Sequence, residues 1–138
     1  MPAFLEQAQQ KLQSKGYKIT NARQDVLEIL ANNDQALTAY GIQDSLKHQC
    51  KDYQAITIYR VLDLLCELDL VHRIYSINAF IKCLPEKDHG HHHHQFLVCE
   101  KCHQIKKLES KIPCNSISKG FTVKQDIHEI LGLCNSCN

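Results

Sequence analysis

Four segments in the first half of the chain carry apolar residues with the 3.6-residue period of an amphipathic helix. The clearest is AITIYRVLDLLCEL, residues 55–68, in which apolar side chains recur at i, i+3, i+4 and i+7. Three helices are predicted before it, the first over residues 3–15. Thr20 or Asn21 can cap the second helix and Thr38 the third, because a short polar side chain accepts a hydrogen bond from the first turn.

The pattern then changes to that of a β-hairpin. Residues 71–83, VHRIYSINAFIKC, predict two short strands around a turn at residues 76–79. In this register His72 faces Cys83, with their Cβ atoms about 5 Å apart. Such a pair can share a metal ion; a surface histidine beside a half-buried cysteine is the simpler interpretation. Helices followed by a hairpin are the layout of a winged helix-turn-helix, with residues 55–68 as its recognition helix.

A polar stretch with proline, glycine and five histidines separates this region from the remainder of the chain. We therefore predict a winged-helix domain over residues 1–83, a hinge over 84–94 and a small α/β domain over 95–138. In the last of these, strands are predicted over residues 95–99, 104–108 and 121–131, and a short helix over 111–119. The fold class is α+β.

Eight cysteines among 138 residues are many, and four of them form two Cys-x-x-Cys motifs. Cys99, Cys102, Cys134 and Cys137 supply the four thiolates that a structural zinc ion prefers. Zinc would stabilise a domain whose hydrophobic core is small. Disulfides, a redox pair or reduced thiols are the alternatives. A disulfide scaffold usually carries a secretory signal, and a redox motif normally occurs once.

The histidine run at residues 89–94 precedes the first of these motifs. It is internal, so a purification tag is not expected, and some of its histidines belong to a solvated linker. Others can bind zinc or another late divalent metal together with His72 and Cys83. The chain lacks His-Glu-x-x-His and the deaminase motif, which argues against a zinc enzyme.

The net charge of +1 gives no indication of nucleic-acid binding by itself. A local interface is still predicted, because Tyr59 and Arg60 lie on the polar face of the fourth helix, near its beginning. Arginine can bind guanine or phosphate, and tyrosine can contact phosphate or a thymine methyl group. The alternative for Arg60 is a surface ion pair with Asp63 or Asp44. We expect a cytoplasmic protein, since no apolar run approaches the ~18 residues of a membrane span.

Over roughly residues 5–137, the chain resembles the ferric uptake regulator family. The resemblance rests on four segments in this order: TIYRVLDLLCELDLVHRI, the hairpin, HHHHQFLVCEKC and GLCNSC. Within that family, VHRIYSINAFIKC is similar to the zinc-sensing branch. The resemblance implies a C-terminal dimerisation domain, a homodimer and a metal-loaded repressor that binds palindromic operator DNA. Iron-sensing members typically have a carboxylate in the hairpin and lack the cysteine.

The resemblance also implies roles for particular residues. Tyr59 and Arg60 match a Tyr-Arg pair of the recognition helix, and Tyr40 matches an aromatic residue in the helix before it. The four motif cysteines match a structural zinc set. A second, regulatory zinc site is implied for His72, Cys83 and one histidine of the run. His92 is the candidate histidine, with His94 as its substitute, and Glu109 is the candidate for the fourth ligand. Here the sequence departs from the family, because Lys107 occupies the usual carboxylate position and Glu109 is the nearest acid.

We therefore expect a zinc-responsive repressor with one structural and one regulatory zinc ion per chain. An iron or peroxide sensor of the same fold is the first alternative. A small zinc enzyme or zinc-handling protein without DNA binding is the second.

Overall fold

The computed structural model divides the chain into two compact units, Met1–Leu84 and Pro85–Asn138. It describes residues 2–83, 94–109, 119–122 and 128–138. The first unit is mainly helical and ends in a small sheet, and the second is built on another sheet. The predicted α+β class is confirmed, as are the four helices. The predicted helix over residues 111–119 lies almost wholly outside the described residues.

Four helices form the first unit: α1 (Pro2–Ser14), α2 (Asn21–Ala31), α3 (Ala39–His48) and α4 (Ala55–Glu67). The predicted caps are present, because the Thr20 hydroxyl accepts from the Arg23 amide at 3.3 Å and the Thr38 hydroxyl accepts from the Gly41 amide at 3.0 Å. Each cap satisfies an amide that has no partner within its own helix. The two threonines thus set where α2 and α3 begin.

The apolar faces of these helices meet in one core. Phe4 and Leu12 of α1, Leu30 of α2, Ile42 of α3 and Leu62 of α4 are all 1% exposed or less. They belong to one buried cluster. Because the apolar stripe of each helix is buried against the others, packing rather than helix propensity holds this unit together.

A three-stranded antiparallel sheet completes the first unit, in the order β1 (Leu37–Thr38), β3 (Ala79–Lys82), β2 (Val71–Ile74). The hairpin is present, but its predicted register is wrong. His72 pairs with Ile81, and the Cys83 amide donates to the Leu70 carbonyl at 2.8 Å. The turn occupies residues 75–78 and ends at Asn78, whose φ is 47°.

The physical reason for this register is the left-handed backbone at Asn78, a conformation that asparagine tolerates well. It closes the turn one residue earlier than predicted and moves every pairing by two positions. A shift of two keeps each side chain on its face of the sheet. His72 and Cys83 are therefore diagonal neighbours on one face rather than directly opposed residues.

The second unit contains a sheet in the order β5 (Ile105–Glu109), β4 (His94–Cys99), β6 (His128–Gly132). The strands β4 and β5 are antiparallel, whereas β4 and β6 are parallel. Both strands predicted around the first Cys-x-x-Cys motif are confirmed. Of the strand predicted over residues 121–131, Phe121 and Thr122 have no strand structure, and 123–127 lie outside the described residues.

Candidate metal centre and nucleic-acid interface

The two Cys-x-x-Cys motifs meet at one end of the second sheet. Cys99 is the last residue of β4 and pairs with Gly132, which ends the parallel strand β6. Because parallel strands end at the same edge, the turns that follow them are neighbours. The turn after β4 is closed by the His103 amide donating to the Cys99 carbonyl at 2.9 Å, and His103 has a φ of 64°.

The four thiol groups converge within a space that fits a single metal ion. The Sγ atoms of Cys99, Cys102, Cys134 and Cys137 all lie within 4.8 Å of one another. The Sγ atoms of Cys102 and Cys134 are 3.6 Å apart. Tetrahedral zinc with Zn–S bonds of about 2.3 Å needs sulfur atoms about 3.8 Å apart. Donor type, donor number and spacing therefore all fit zinc.

Backbone amides prepare one of these thiols to bind a cation. The Cys99 Sγ accepts from the Cys102 amide at 3.5 Å and from the Cys134 amide at 3.4 Å. These two hydrogen bonds lower the pKa of Cys99 to about 5, because they stabilise the thiolate. By contrast, contact with the Cys134 thiol, together with burial, raises the pKa of Cys137 to about 12. Metal binding here must therefore release protons.

The structure describes only some of the candidate ligands for a second metal site. His72 lies on β2 with its Nε2 atom buried, and Cys83 follows β3 and is 0% exposed. Diagonal neighbours in a sheet have Cβ atoms up to ~7–8 Å apart, a distance that a histidine and a cysteine can span with one ion. In the parts of the chain that the structure describes, the groups of three or more potential ligands that could hold a metal ion do not include these two.

The other candidates for that site belong to the second unit. His92 lies outside the described residues. His94 and Glu109 are paired across β4 and β5, so their backbones face each other at the end of the ladder. Their assignment as ligands stays a prediction.

The three candidate DNA-contacting residues lie on α3 and α4. Tyr40 lies in the first turn of α3 and is 65% exposed, and Arg60 is exposed on α4. The rings of Tyr40 and Tyr59 meet edge to face, with centroids 6.4 Å apart. Among the described residues the ion pairs do not include Arg60, so the alternative of a pair with Asp63 or Asp44 is not observed.

Sequence reasoning missed a second set of polar contacts beside these residues. Arg73 Nη2 donates to the Asn78 side chain at 2.7 Å, and Asn78 Nδ2 donates to the Tyr59 hydroxyl at 3.4 Å. The only sign of it in the sequence was the asparagine in a predicted turn, which indicates a left-handed position but not the partner of its side chain.

A half-buried carboxylate anchors the turn between α3 and α4. Asp25 on α2 accepts from Lys51 Nζ at 2.9 Å and from the Tyr53 hydroxyl at 2.7 Å. Burial alone would raise the pKa of Asp25. The hydrogen bonds from Tyr53 and Lys51 outweigh that effect, and the pKa is lowered. The turn that leads into α4 is thereby attached to α2.

Comparison with known proteins identifies the family. The sequence profile of the Ferric uptake regulator family matches residues 14–130. The chain belongs to this family.

Among individual relatives, the chain is 28% identical to the zinc uptake regulation protein of Escherichia coli (strain K12), covering 97% of this chain and 81% of that one. It is 26% identical to the ferric uptake regulation protein of Bacillus subtilis (strain 168), over 97% and 94%. A ferric uptake regulation protein of Staphylococcus aureus is 30% identical, over 91% and 92%. Since zinc and iron regulators are equally similar, overall identity does not distinguish the metal.

Solved structures agree with the family. A zinc uptake regulator complexed with zinc and DNA superposes with a TM-score of 0.81 at 25% identity, covering 98% of this chain and 93% of that one. A structure of holo XcZur gives 0.75 at 26% identity, over 99% and 97%. The chain thus has the fold of these solved regulators. No helix in the described parts of the chain is long and apolar enough to cross a membrane.

Proposed function

We propose that the chain is a zinc-responsive transcriptional repressor, not an enzyme, which binds palindromic operator DNA as a homodimer in the cytoplasm. One zinc ion would hold the second unit together, and a second ion would regulate DNA binding. The observation that carries the choice of zinc is Cys83, which lies on the same face of the hairpin as His72. A thiolate ligand favours zinc over iron, whose sites use more oxygen and nitrogen ligands.

The structural ion is assigned to Cys99, Cys102, Cys134 and Cys137. Their sulfur atoms converge at the spacing of a tetrahedral thiolate shell, and four-thiolate shells with no open position are typical of structural rather than catalytic zinc. This geometry also argues against the alternative of a zinc enzyme.

The regulatory ion is assigned to His72 and Cys83, with His92, or His94 in its place, as the third ligand and Glu109 as the fourth. The facing positions of His94 and Glu109 in β4 and β5 support these two as neighbouring ligands. Zinc bound at this site would favour the form of the dimer that binds DNA. By linkage, DNA would then tighten zinc binding by the same factor.

Operator binding is assigned to the first unit. Arg60 projects from the exposed face of α4 and Tyr40 from the start of α3, so both can reach a DNA groove. The similarity to a zinc uptake regulator complexed with zinc and DNA supports this assignment.

Dimerisation is assigned to the second unit. Its strand β6 lies at an edge of the described sheet and exposes Ile130 and Leu131, which are 49% and 50% accessible. Leu133 just beyond it is 52% accessible. Edge strands with apolar side chains are favourable places for a second copy of a chain to bind.

The test is operator binding against buffered free zinc, with the metal counted per chain. The DNA is a palindromic duplex selected from a random library by the zinc-loaded chain. We expect Cys83→Ser to keep the structural zinc and the dimer but to lose most zinc-dependent binding, whereas the exposed Cys50→Ser serves as the matched control and should resemble the parent.

A Cys83→Ser variant that responds to zinc as the parent does would place the regulatory site elsewhere. A parent chain that binds the selected duplex with iron but not with zinc would favour the iron sensor. A parent that shows no metal-dependent binding to any duplex would contradict the repressor assignment altogether.

A further inference from the structure

The hairpin and the recognition helix are joined by an unbroken chain of side-chain contacts. Its central member is Arg73 on β2, whose guanidinium lies 5.2 Å from the Tyr75 ring centroid and 5.6 Å from that of Phe80. The Phe80 ring in turn meets the Tyr59 ring edge to face, with centroids 6.4 Å apart. Tyr59 belongs to α4, so the contacts run from one element to the other.

Asn78 closes this chain at the turn. Its side-chain oxygen accepts from Arg73 and its amide nitrogen donates to the Tyr59 hydroxyl. Because its φ of 47° is set by the turn, the amide is held close to both partners. One side chain thus bridges the hairpin and the helix.

From this geometry we propose that Arg73 and Asn78 are positioning residues for operator recognition, a role that rests on the proposed function. They fix the Tyr59 ring and hydroxyl relative to the hairpin, so that α4 and the hairpin meet DNA as one rigid surface. Neither acts as a phosphate contact. This assignment goes beyond the DNA-contacting set of Tyr40, Tyr59 and Arg60.

The surroundings of Arg73 argue for positioning rather than for direct DNA contact. Its Nε atom is buried and one terminal nitrogen is engaged by Asn78. Its charged group is stacked against two aromatic rings, an arrangement that suits the flat guanidinium and not a lysine ammonium. An arginine that contacts DNA directly extends into solvent, as Arg60 does on α4.

The experiment measures binding of the zinc-loaded full chain to the selected duplex over a range of salt concentrations. Asn78→Gly tolerates the left-handed backbone but removes the bridge, and Tyr59→Phe removes the hydroxyl. We expect Asn78→Gly to weaken binding about tenfold. The double variant should lose less affinity than the sum of the two single losses, since both changes break the Asn78–Tyr59 contact. Asp69→Gly, at another exposed left-handed position with φ 58°, is the matched control and should bind as the parent does.

Arg73→Met distinguishes the two possible roles of the arginine. Losing a phosphate contact would lower the slope of log affinity against log salt by about 0.9, whereas losing a positioning contact leaves it unchanged. We expect weaker binding with the parental slope. If Arg73→Met does not fold, as judged by its melting, the glycine variant at the exposed turn decides the matter.

Three results would overturn the proposal: parental binding by Asn78→Gly, additive losses in the double variant, or a reduced salt slope in Arg73→Met. All three require that the parent binds the duplex and that Arg60→Ala binds it more weakly than the parent does. They are therefore distinguishable from failure of the repressor assignment, in which the parent itself shows no metal-dependent binding.

Discussion

The two units of this protein are stabilised in different ways. Within residues 2–83, the described part of the first unit, eighteen residues are buried in one cluster drawn from all four helices and the adjoining sheet. The described part of the second buries only four, Phe96, Val98, Cys99 and Ile105, and one of these is a candidate metal ligand. Four buried residues make a small core for the described part of this unit, and a zinc ion held by the four converging thiols would add a constraint. From this comparison we expect the first unit to fold without metal and the folding of the second unit to depend on zinc.

The largest expected effect follows from removing one zinc ligand. Cys102→Ser should lose the structural zinc and unfold the second unit, because binding of structural zinc contributes on the order of 10 kcal/mol to folding. The first unit should keep its helices. Zinc content and hydrogen exchange along the chain would measure this. Cys50→Ser, exposed in the first unit, is the control. Parental zinc content and exchange in Cys102→Ser would rule out the thiolate site.

The second prediction concerns removal of a core side chain from the first unit. Leu62 of α4 is 0% exposed, so Leu62→Ala should lower the free energy of unfolding of that unit by about 2–5 kcal/mol through the cavity it leaves. Zinc content should not change. Phe121→Ala, at a position 68% exposed in the second unit, should cost far less. Chemical denaturation followed by circular dichroism provides the measurement, and equal losses in the two variants would contradict the difference between the units.

A third change separates function from stability within the first unit. Arg60→Ala should weaken binding to the selected duplex by about 1–3 kcal/mol, because one arginine–guanine contact is of that size. Zinc content and dimerisation should match the parent, since Arg60 lies outside both candidate metal sites. Binding would be compared on the selected duplex and on a scrambled one. A uniform loss on both would make Arg60 a phosphate contact instead.

The smallest effect concerns Asp25 and depends on pH. The pKa of Asp25 is lowered in the folded chain, so its carboxylate stabilises the fold above its unfolded pKa, near 3.9. That contribution is lost as the pH falls through the lower, folded value. Asp25→Asn should therefore cost about 1 kcal/mol at neutral pH and progressively less in acid. Unfolding measured at several pH values tests this, with Glu28→Gln on the same helix as control. A constant difference between parent and variant at every pH would contradict the role of the charge.

Local sequence patterns were sufficient to predict most of the secondary structure of the helical first unit. A helix needs only the period of its apolar residues and a cap, and both are written within a dozen positions, as at Thr20 and Thr38. The strands around the first Cys-x-x-Cys motif could likewise be predicted from the sequence. The hairpin register was not, because it depends on the backbone conformation of a single residue, Asn78, within a turn that several registers could satisfy.

By itself, the sequence determined the fold class, the family to which the motifs point and the four cysteines that can hold zinc. These depend on residue type and spacing along the chain, which the sequence gives directly. Only the tertiary structure decided that His72 is diagonal to Cys83, that Asp25 anchors the turn before α4, and that Asn78 bridges Arg73 and Tyr59. Each of these joins residues from different elements. Their meeting depends on how helices and strands pack, a property that no local pattern of residues records.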